Sequence, residues 1–244
     1  MERWIGKTAI VTGASSGIGA AIVIDLVNSG MEVVALARRE DRLKIIKDSL
    51  PDYLKGKLHP MKCDVTKETD VINVFKYVDE QLGGVHVLVN NAGVLRNTQL
   101  INKNNTEDMR AVIDTNIMGV VFCTREAFQS MKARKVAGHV VIINSIAGHF
   151  PLNLENFNIY PASKYAITAM TETYRREFDL EDTNIKITSI SPGLVDTEIL
   201  PGHGFNNDHK LKSEDVSNAV VYCIATPPRV QIHELIIKPL REKL

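Results

Sequence analysis

The amino-acid order predicts an α/β chain built as one doubly wound, seven-stranded parallel sheet. Three observations carry that expectation. Short apolar runs recur along the chain, each ending in small or polar turn residues. Between them lie stretches with apolar residues at helical spacing. No linker, internal repeat or low-complexity segment divides residues 1–244, so a single domain is expected. Strands that alternate with helices have to be joined by crossovers, which places them parallel with helices on both faces.

The bulk numbers remove several partners. Lysine plus arginine equals aspartate plus glutamate at 29 each, so no global field favours nucleic acid or an anionic membrane. No run approaches the roughly 18 apolar residues of a membrane span. Cys63, Cys123 and Cys223 are odd in number, far apart and without metal-ligand spacing, which fits a reducing compartment. The start, Met1 to Lys7, lacks an apolar leader core, and a cytoplasmic protein is expected. None of the seven histidines forms a metal pattern, and no G-x-S-x-G elbow is present to start a hydrolase triad.

The first strand, Thr8 to Val11, runs into Thr12-Gly13-Ala14-Ser15-Ser16-Gly17-Ile18-Gly19 and then a helix through Ile22, Leu26 and Val27. Glycines let a backbone turn tightly beside a ligand, and the helix N-terminus offers unpaired N–H groups to an anion, so a diphosphate would fit here. The spacing Gly-x-x-x-Gly-x-Gly differs from the generic dinucleotide fingerprint. The second strand, Glu32 to Ala37, ends in Arg38-Arg39, about 20 residues beyond the turn. An acidic residue there suits the ribose hydroxyls of NAD, whereas arginine suits the 2′-phosphate of NADP. NADP is therefore favoured over a merely solvated charge cluster.

The third strand, about Lys57 to Cys63, ends at Asp64-Val65, where Asp64 either accepts from an adenine or caps a helix. The helix that follows carries Val71, Val74, Phe75, Val78 and Leu82 at helical spacing. The fourth strand, Val85 to Val89, ends in Asn90-Asn91-Ala92-Gly93, small polar residues beside which a flat ligand could lie. A long helical tract from Met109 to Val121 holds Asn116 among apolar neighbours. Its amide needs partners there, either nearby backbone or a functional water.

The fifth strand, Gly138 to Asn144, ends at Ser145 and leads to an apolar loop with Phe150, Leu152, Leu154 and Phe157. Tyr160-Pro161-Ala162-Ser163-Lys164 then opens a helix, its proline at a tolerated first-turn position. Residues four apart share a helix face, and a fixed ammonium should pull a phenol below its ordinary pKa of about 10. The pair is thus a candidate proton-transfer device. A sixth strand, Ile185 to Ile190, precedes Val195 to Thr197. An aperiodic stretch near 198–212 follows, expected as a substrate lid, with Ile199, Leu200 and Phe205 as further apolar groups. A helix over Ser213 to Ala225 and a strand over Gln231 to Ile237 end the pattern.

TGASSGIG at 12–19, NNAG at 90–93, Asn116, Ser145, YPASK at 160–164 and PG at 192–193 together resemble the short-chain dehydrogenase/reductase family over nearly the whole chain. Within it, MERW at the start, CTREAFQSMK from Cys123 and TPPRVQI from Thr226 look most like the insect farnesol dehydrogenases and the vertebrate family member 11 reductases. The resemblance implies a Rossmann-type fold and a homodimer or homotetramer. It further implies that Tyr160 is proton donor or acceptor and that Ser145 bonds the substrate oxygen. Lys164 would lower the tyrosine pKa and bind the nicotinamide ribose, and Asn116 would hold a water linked to Lys164. Gly13, Ser15, Ser16, Gly17, Ile18 and Gly19 would cradle the diphosphate, and Arg38 and Arg39 would take the 2′-phosphate. Asp64 and Val65 would meet the adenine, Asn91 and Gly93 the adenosine side, and Val195 and Thr197 the nicotinamide amide. The interval from Ser145 to Tyr160 is a little longer than the family's commonest spacing.

The expected activity is NADP-dependent interconversion of an apolar alcohol, farnesol-like in the leading case, and its aldehyde or ketone. A broad carbonyl reductase for steroids or diketones is the rival enzyme, and a non-catalytic NADP(H)-binding regulator the rival from another class. The apolar loop residues either face the substrate or pack under the loops.

Overall fold

A computed structural model describes residues 1–150, 155–199 and 209–241. The strands are β1 (Thr8–Thr12), β2 (Glu32–Ala37), β3 (Leu58–Lys62), β4 (Val87–Asn90), β5 (His139–Ile143), β6 (Lys186–Pro192) and β7 (Glu234–Ile237). They form one seven-stranded sheet in the order β3-β2-β1-β4-β5-β6-β7, with parallel pairing throughout, as the strand and helix alternation demands. The helices are α1 (Gly17–Asn28), α2 (Glu40–Ser49), α3 (Asp52–Lys55), α4 (Glu68–Gln81), α5 (Thr106–Ile113), α6 (Gly119–Ala133), α7 (Tyr160–Leu180) and α8 (Ser213–Ala225).

Every residue of β1, β4, β5 and β6 is buried, and β1, β4 and β5 accordingly read as largely apolar runs rather than alternating ones, whereas β6 buries Lys186, Thr188, Ser189 and Ser191 beside its two isoleucines. The sheet divides the core into two layers. Val23, Leu26 and Val27 of α1 and Val216, Val220 and Ile224 of α8 cover one face, whereas Val71, Val74 and Val78 of α4, Cys123 and Met131 of α6 and Ile167 of α7 cover the other. Each such side chain contributes about 1.5–3 kcal/mol by leaving water. All three cysteines are buried and unpaired. Among the described residues, no helix is long and apolar enough to cross a membrane.

Several boundaries differ from the sequence expectation by a residue or two, and three of the differences are informative. β4 runs from Val87, and His86 just before it is already tied to both neighbouring strands, its N donating to Thr8 O at 2.9 Å and its O accepting from His139 N at 3.0 Å. β7 shrinks to four residues at the sheet edge, where the Gln231 side chain, rather than a ladder bond, reaches Ile187 O at 3.1 Å. The long helical tract is interrupted by a π turn over Asp114–Met118, centred on Asn116. The strand order reverses between β1 and β4, since the chain leaves β3 at one edge and returns to the other side of β1. That switch opens a crevice at the carboxyl ends of the central strands, where a ligand has access to both turns.

Candidate active site

A cleft of about 540 Å³ lies at this switch point. Its first wall is the turn from β1 into α1. Gly13 has φ +64°, and a Cβ there would lie 2.7 Å from Ala92 Cα. Gly19 is closed in more tightly, for its Cβ would stand 2.4 Å from Gly13 O and 2.5 Å from Asn91 Nδ2. The reason is a bolt between two turns. Thr12 Oγ1 accepts from both Asn91 N and Ala92 N at 3.0 Å, while Asn91 Nδ2 donates to Thr12 O at 3.0 Å and Gly13 O at 3.1 Å. Sequence reasoning missed Thr12, and its only signal is a hydroxyl at the end of an otherwise apolar strand.

Neither a side-chain cap nor an acidic residue occupies the first turn of α1, so its N–H groups and positive dipole end remain available to an anion at the cleft. Gly19→Ala is accordingly expected to abolish nucleotide binding and to lower Tm, because backbone rather than a flexible side chain would have to move. Calorimetric titration with NADPH and a melting curve check this.

Arg38 and Arg39 follow β2 at the cleft's rim. Arg39 Nη2 donates to Ser15 Oγ and Ser16 Oγ, both at 3.1 Å, and to the carboxylate of Glu198, also at 3.1 Å. Arg42, one turn along α2 and absent from the sequence reading, holds the other oxygen of Glu198 at 2.6 Å. Asp64 uses Oδ1 to accept from Thr66 N and Thr66 Oγ1 at 3.1 and 2.8 Å, which closes a local turn and is not the anticipated helix cap, because α4 is entered from Lys67 without a side-chain cap.

The opposite wall carries Ser145, Tyr160 and Lys164, the candidate acid–base groups. Ser145 lies two residues beyond β5 and caps a short 3-10 turn over Ile146–Gly148, its Oγ accepting from Ala147 N at 3.1 Å. Tyr160 opens α7, with Pro161 in the first turn as the sequence expects. Burial pushes the Tyr160 phenol up to about 12, and a hydrogen bond with Ser145 works against that rise. Burial pushes Lys164 down to about 8. The expectation that Lys164 pulls the phenol down by spacing alone is therefore corrected. Its Nζ is turned to Ile143 O at 3.0 Å and stands 5.7 Å from the tyrosine ring centre, so burial outweighs its charge.

Asn116 lies behind this wall rather than on it. Its Oδ1 accepts from Val94 N at 2.8 Å, and its Nδ2 donates to Val94 O at 3.0 Å and Ser163 Oγ at 3.1 Å. Both amide hydrogens are thus committed, one to the backbone after β4 and one to α7. Of the two sequence alternatives, nearby partners are what the side chain finds, and it braces the β4 turn against α7.

Between the walls, Leu95, Ala147, Phe157, Tyr160 and Ile199 form an apolar cluster. Phe157 meets Tyr160 edge to face with ring centres 6.0 Å apart. It is aimed there by Asn156 and Asn158, whose φ values of 61° and 38° lie where asparagine is among the tolerated residues. The loop is tied down by Asn158 Nδ2 donating to Arg96 O at 2.6 Å. Leu95 escaped the sequence reading. Phe150 does not join the cluster and is 52 % exposed. Leu152, Leu154, Leu200 and Phe205 lie outside the described residues.

A family model described as short chain dehydrogenase matches residues 7–204. The chain belongs to the short-chain dehydrogenase/reductase family. It is 56% identical over 244 residues to a farnesol dehydrogenase of Aedes aegypti, covering 100% of each chain. It is 42% identical to dehydrogenase/reductase SDR family member 11 of Gallus gallus, covering 99% of each. Among solved structures, a closed serine dehydrogenase complexed with NADP+ is 31% identical, with a TM-score of 0.84 over 94% of both chains. An alcohol dehydrogenase of Thermococcus sibiricus complexed with 5-hydroxy-NADP is 26% identical, with a TM-score of 0.85 over 98% of both.

As a short-chain dehydrogenase/reductase, the chain is an oxidoreductase with the Rossmann-type sheet of its solved neighbours. Of the residues singled out from sequence, Gly13, Ser15, Ser16, Gly17, Ile18, Arg38, Arg39, Asp64, Val65, Asn91, Gly93, Ser145, Tyr160, Lys164, Val195 and Thr197 line the one cleft. Gly19 and Asn116 are the two that stand behind its surface, one shaping each wall.

Proposed function

We propose that the chain is an NADP(H)-dependent alcohol dehydrogenase and carbonyl reductase for lipophilic substrates, with a farnesol-like terpenoid as the leading case. The observation that carries this reading is the Ser145, Tyr160 and Lys164 wall opening onto the apolar Leu95, Phe157 and Ile199 surface within the same cleft as the glycine turn. The residues present fit the coenzyme: positive-φ glycines leave room at the turn, α1 offers N–H groups, and Arg39 already holds an anion beside Ser15 and Ser16.

NADP(H), when bound, supplies or accepts the hydride at the carbinol carbon. Gly13, Ser15, Ser16, Gly17, Ile18 and Gly19 would cradle the diphosphate, Arg38 and Arg39 would take the 2′-phosphate, and Asp64, Val65, Asn91 and Gly93 would border the adenosine. Val195 and Thr197 would hold the nicotinamide amide, and Lys164 would bind the ribose. Ser145 donates to the substrate oxygen and orients it toward Tyr160. Tyr160 gives that oxygen a proton in reduction and removes it in oxidation. The apolar surface excludes water and favours a hydrocarbon chain. Assembly as a homodimer or homotetramer, in the cytosol, belongs to the same reading.

The test is NADPH absorbance with farnesol, farnesal and a panel of steroid ketones and diketones, each coenzyme in turn. We expect kcat/KM for farnesol with NADP at least about tenfold above that with NAD, and above every ketone. Higher kcat/KM for the ketones would assign the chain to broad carbonyl reduction instead. Tight NADPH binding with no turnover of any substrate would favour a regulator.

A further inference from the structure

Glu198 is the first residue of the segment expected to cover the substrate, yet its carboxylate is committed to the coenzyme side of the cleft. Oε2 lies 3.1 Å from Arg39 Nη2 and Oε1 2.6 Å from Arg42 Nη1. The same Arg39 Nη2 reaches Ser15 Oγ and Ser16 Oγ. An anion bounded by a guanidinium and two serine hydroxyls at the end of β2 is the arrangement a ribose 2′-phosphate would require. Here a side chain of the protein supplies the anion. Glu198 also lines the cleft, so it stands where an incoming phosphate must pass.

We propose that Glu198 is a built-in competitor of the coenzyme 2′-phosphate, which must displace its carboxylate from Arg39, so that residue 198 helps set how strongly the protein discriminates NADP from NAD. This rests on the NADP(H) reading above. Two negative groups cannot share one guanidinium without repulsion, and a phosphate dianion outcompetes a carboxylate for it. The contest penalises NADP(H) alone, because NAD(H) has no group to place there. Arg42 gains a role too: with two arginines available, the displaced carboxylate keeps a partner at Arg42 while Arg39 turns to the phosphate. The two arginines hold the Glu198 carboxyl below its ordinary range, so it is an anion at any physiological pH.

The experiment uses fragments that isolate the phosphate. Adenosine 2′,5′-bisphosphate and 5′-AMP are titrated calorimetrically into the full-length wild type, Glu198→Gln and Arg39→Ala. Glu198→Gln keeps the size of the side chain and removes its charge. The expected result is a Kd for the bisphosphate about three- to tenfold tighter in Glu198→Gln, an unchanged Kd for AMP, and a gain that shrinks as salt is raised. NADPH titrated by fluorescence should tighten by the same factor. An unchanged or weaker bisphosphate Kd in Glu198→Gln, with wild type still preferring the bisphosphate, overturns the competitor role and leaves the NADP reading standing. Equal affinity of the wild type for the two fragments overturns the NADP reading and the competition with it, whereas a preference untouched by Arg39→Ala overturns the competition at Arg39 alone and leaves the phosphate to Arg38.

Discussion

Tyr160→Phe is expected to lower kcat about a thousandfold while leaving the Kd for NADPH within about twofold of wild type. The ring has two jobs that this substitution separates. Its edge-to-face packing on Phe157, with ring centres 6.0 Å apart, survives in phenylalanine, so the cleft keeps its shape. Its hydroxyl, hydrogen-bonded with Ser145, does not survive, and with it goes the proposed group that exchanges a proton with the substrate oxygen.

A thousandfold loss corresponds to about 4 kcal/mol of transition-state stabilisation, within what a positioned acid or base supplies. Direction matters for the pH profile. Burial holds the phenol protonated up to about 12, which suits carbonyl reduction, whereas alcohol oxidation needs the phenolate and should accelerate as pH rises. That acceleration should disappear in the variant. Stopped-flow absorbance in both directions measures it, and a kcat reduced less than tenfold would remove Tyr160 from the proton-transfer step.

The contrast between what could and could not be read from the residue order is physical. β2 and α8 have the bounds that their periodicity gives, because an apolar run between turn residues and a helix entered at a serine are local signals. The cleft's lining was legible for a related reason: ligands at a parallel sheet gather at strand ends, and strand ends can be counted. Thr12, Arg42 and Glu198 were not legible, since each acts through a partner distant in sequence. Thr12 meets Asn91 across 79 residues, and Glu198 meets Arg42 across 156. The effect of Lys164 on Tyr160 was misjudged because helical spacing gives proximity but not burial. The depth at which a charge sits is a property of the whole fold.

Lys164→Met is expected to be inactive yet more stable than wild type at pH 7. Lys164 is 7 % exposed and makes one described hydrogen bond, to Ile143 O at 3.0 Å. Its ammonium is therefore poorly compensated, and burial depresses its pKa from 10.5 to about 8. A depression of that size means that the charged native state carries a cost of about 3 kcal/mol relative to the unfolded chain. Below pH 8 both states hold the proton and the full cost is present. Between about 8 and 10.5 the unfolded state still holds the proton and the native state does not, so the wild type gains stability as pH rises. Above 10.5 both are neutral and the cost has gone.

Methionine fills much of the same volume without a charge and leaves Ile143 O without its donor, a loss of about 1–2 kcal/mol. The balance favours the variant by about 1–2 kcal/mol at pH 7, or about 3–6 °C in Tm for a chain of this size. That advantage should narrow as pH rises from 8 to 10.5. Differential scanning calorimetry of both proteins across this range, read as a difference so that other titrating groups cancel, decides the matter. A variant that melts below wild type at pH 7 would mean that the buried ammonium stabilises the fold. Higher stability with lost turnover would instead show that the lysine is held in the wall, against its own solvation, for activity rather than for the fold.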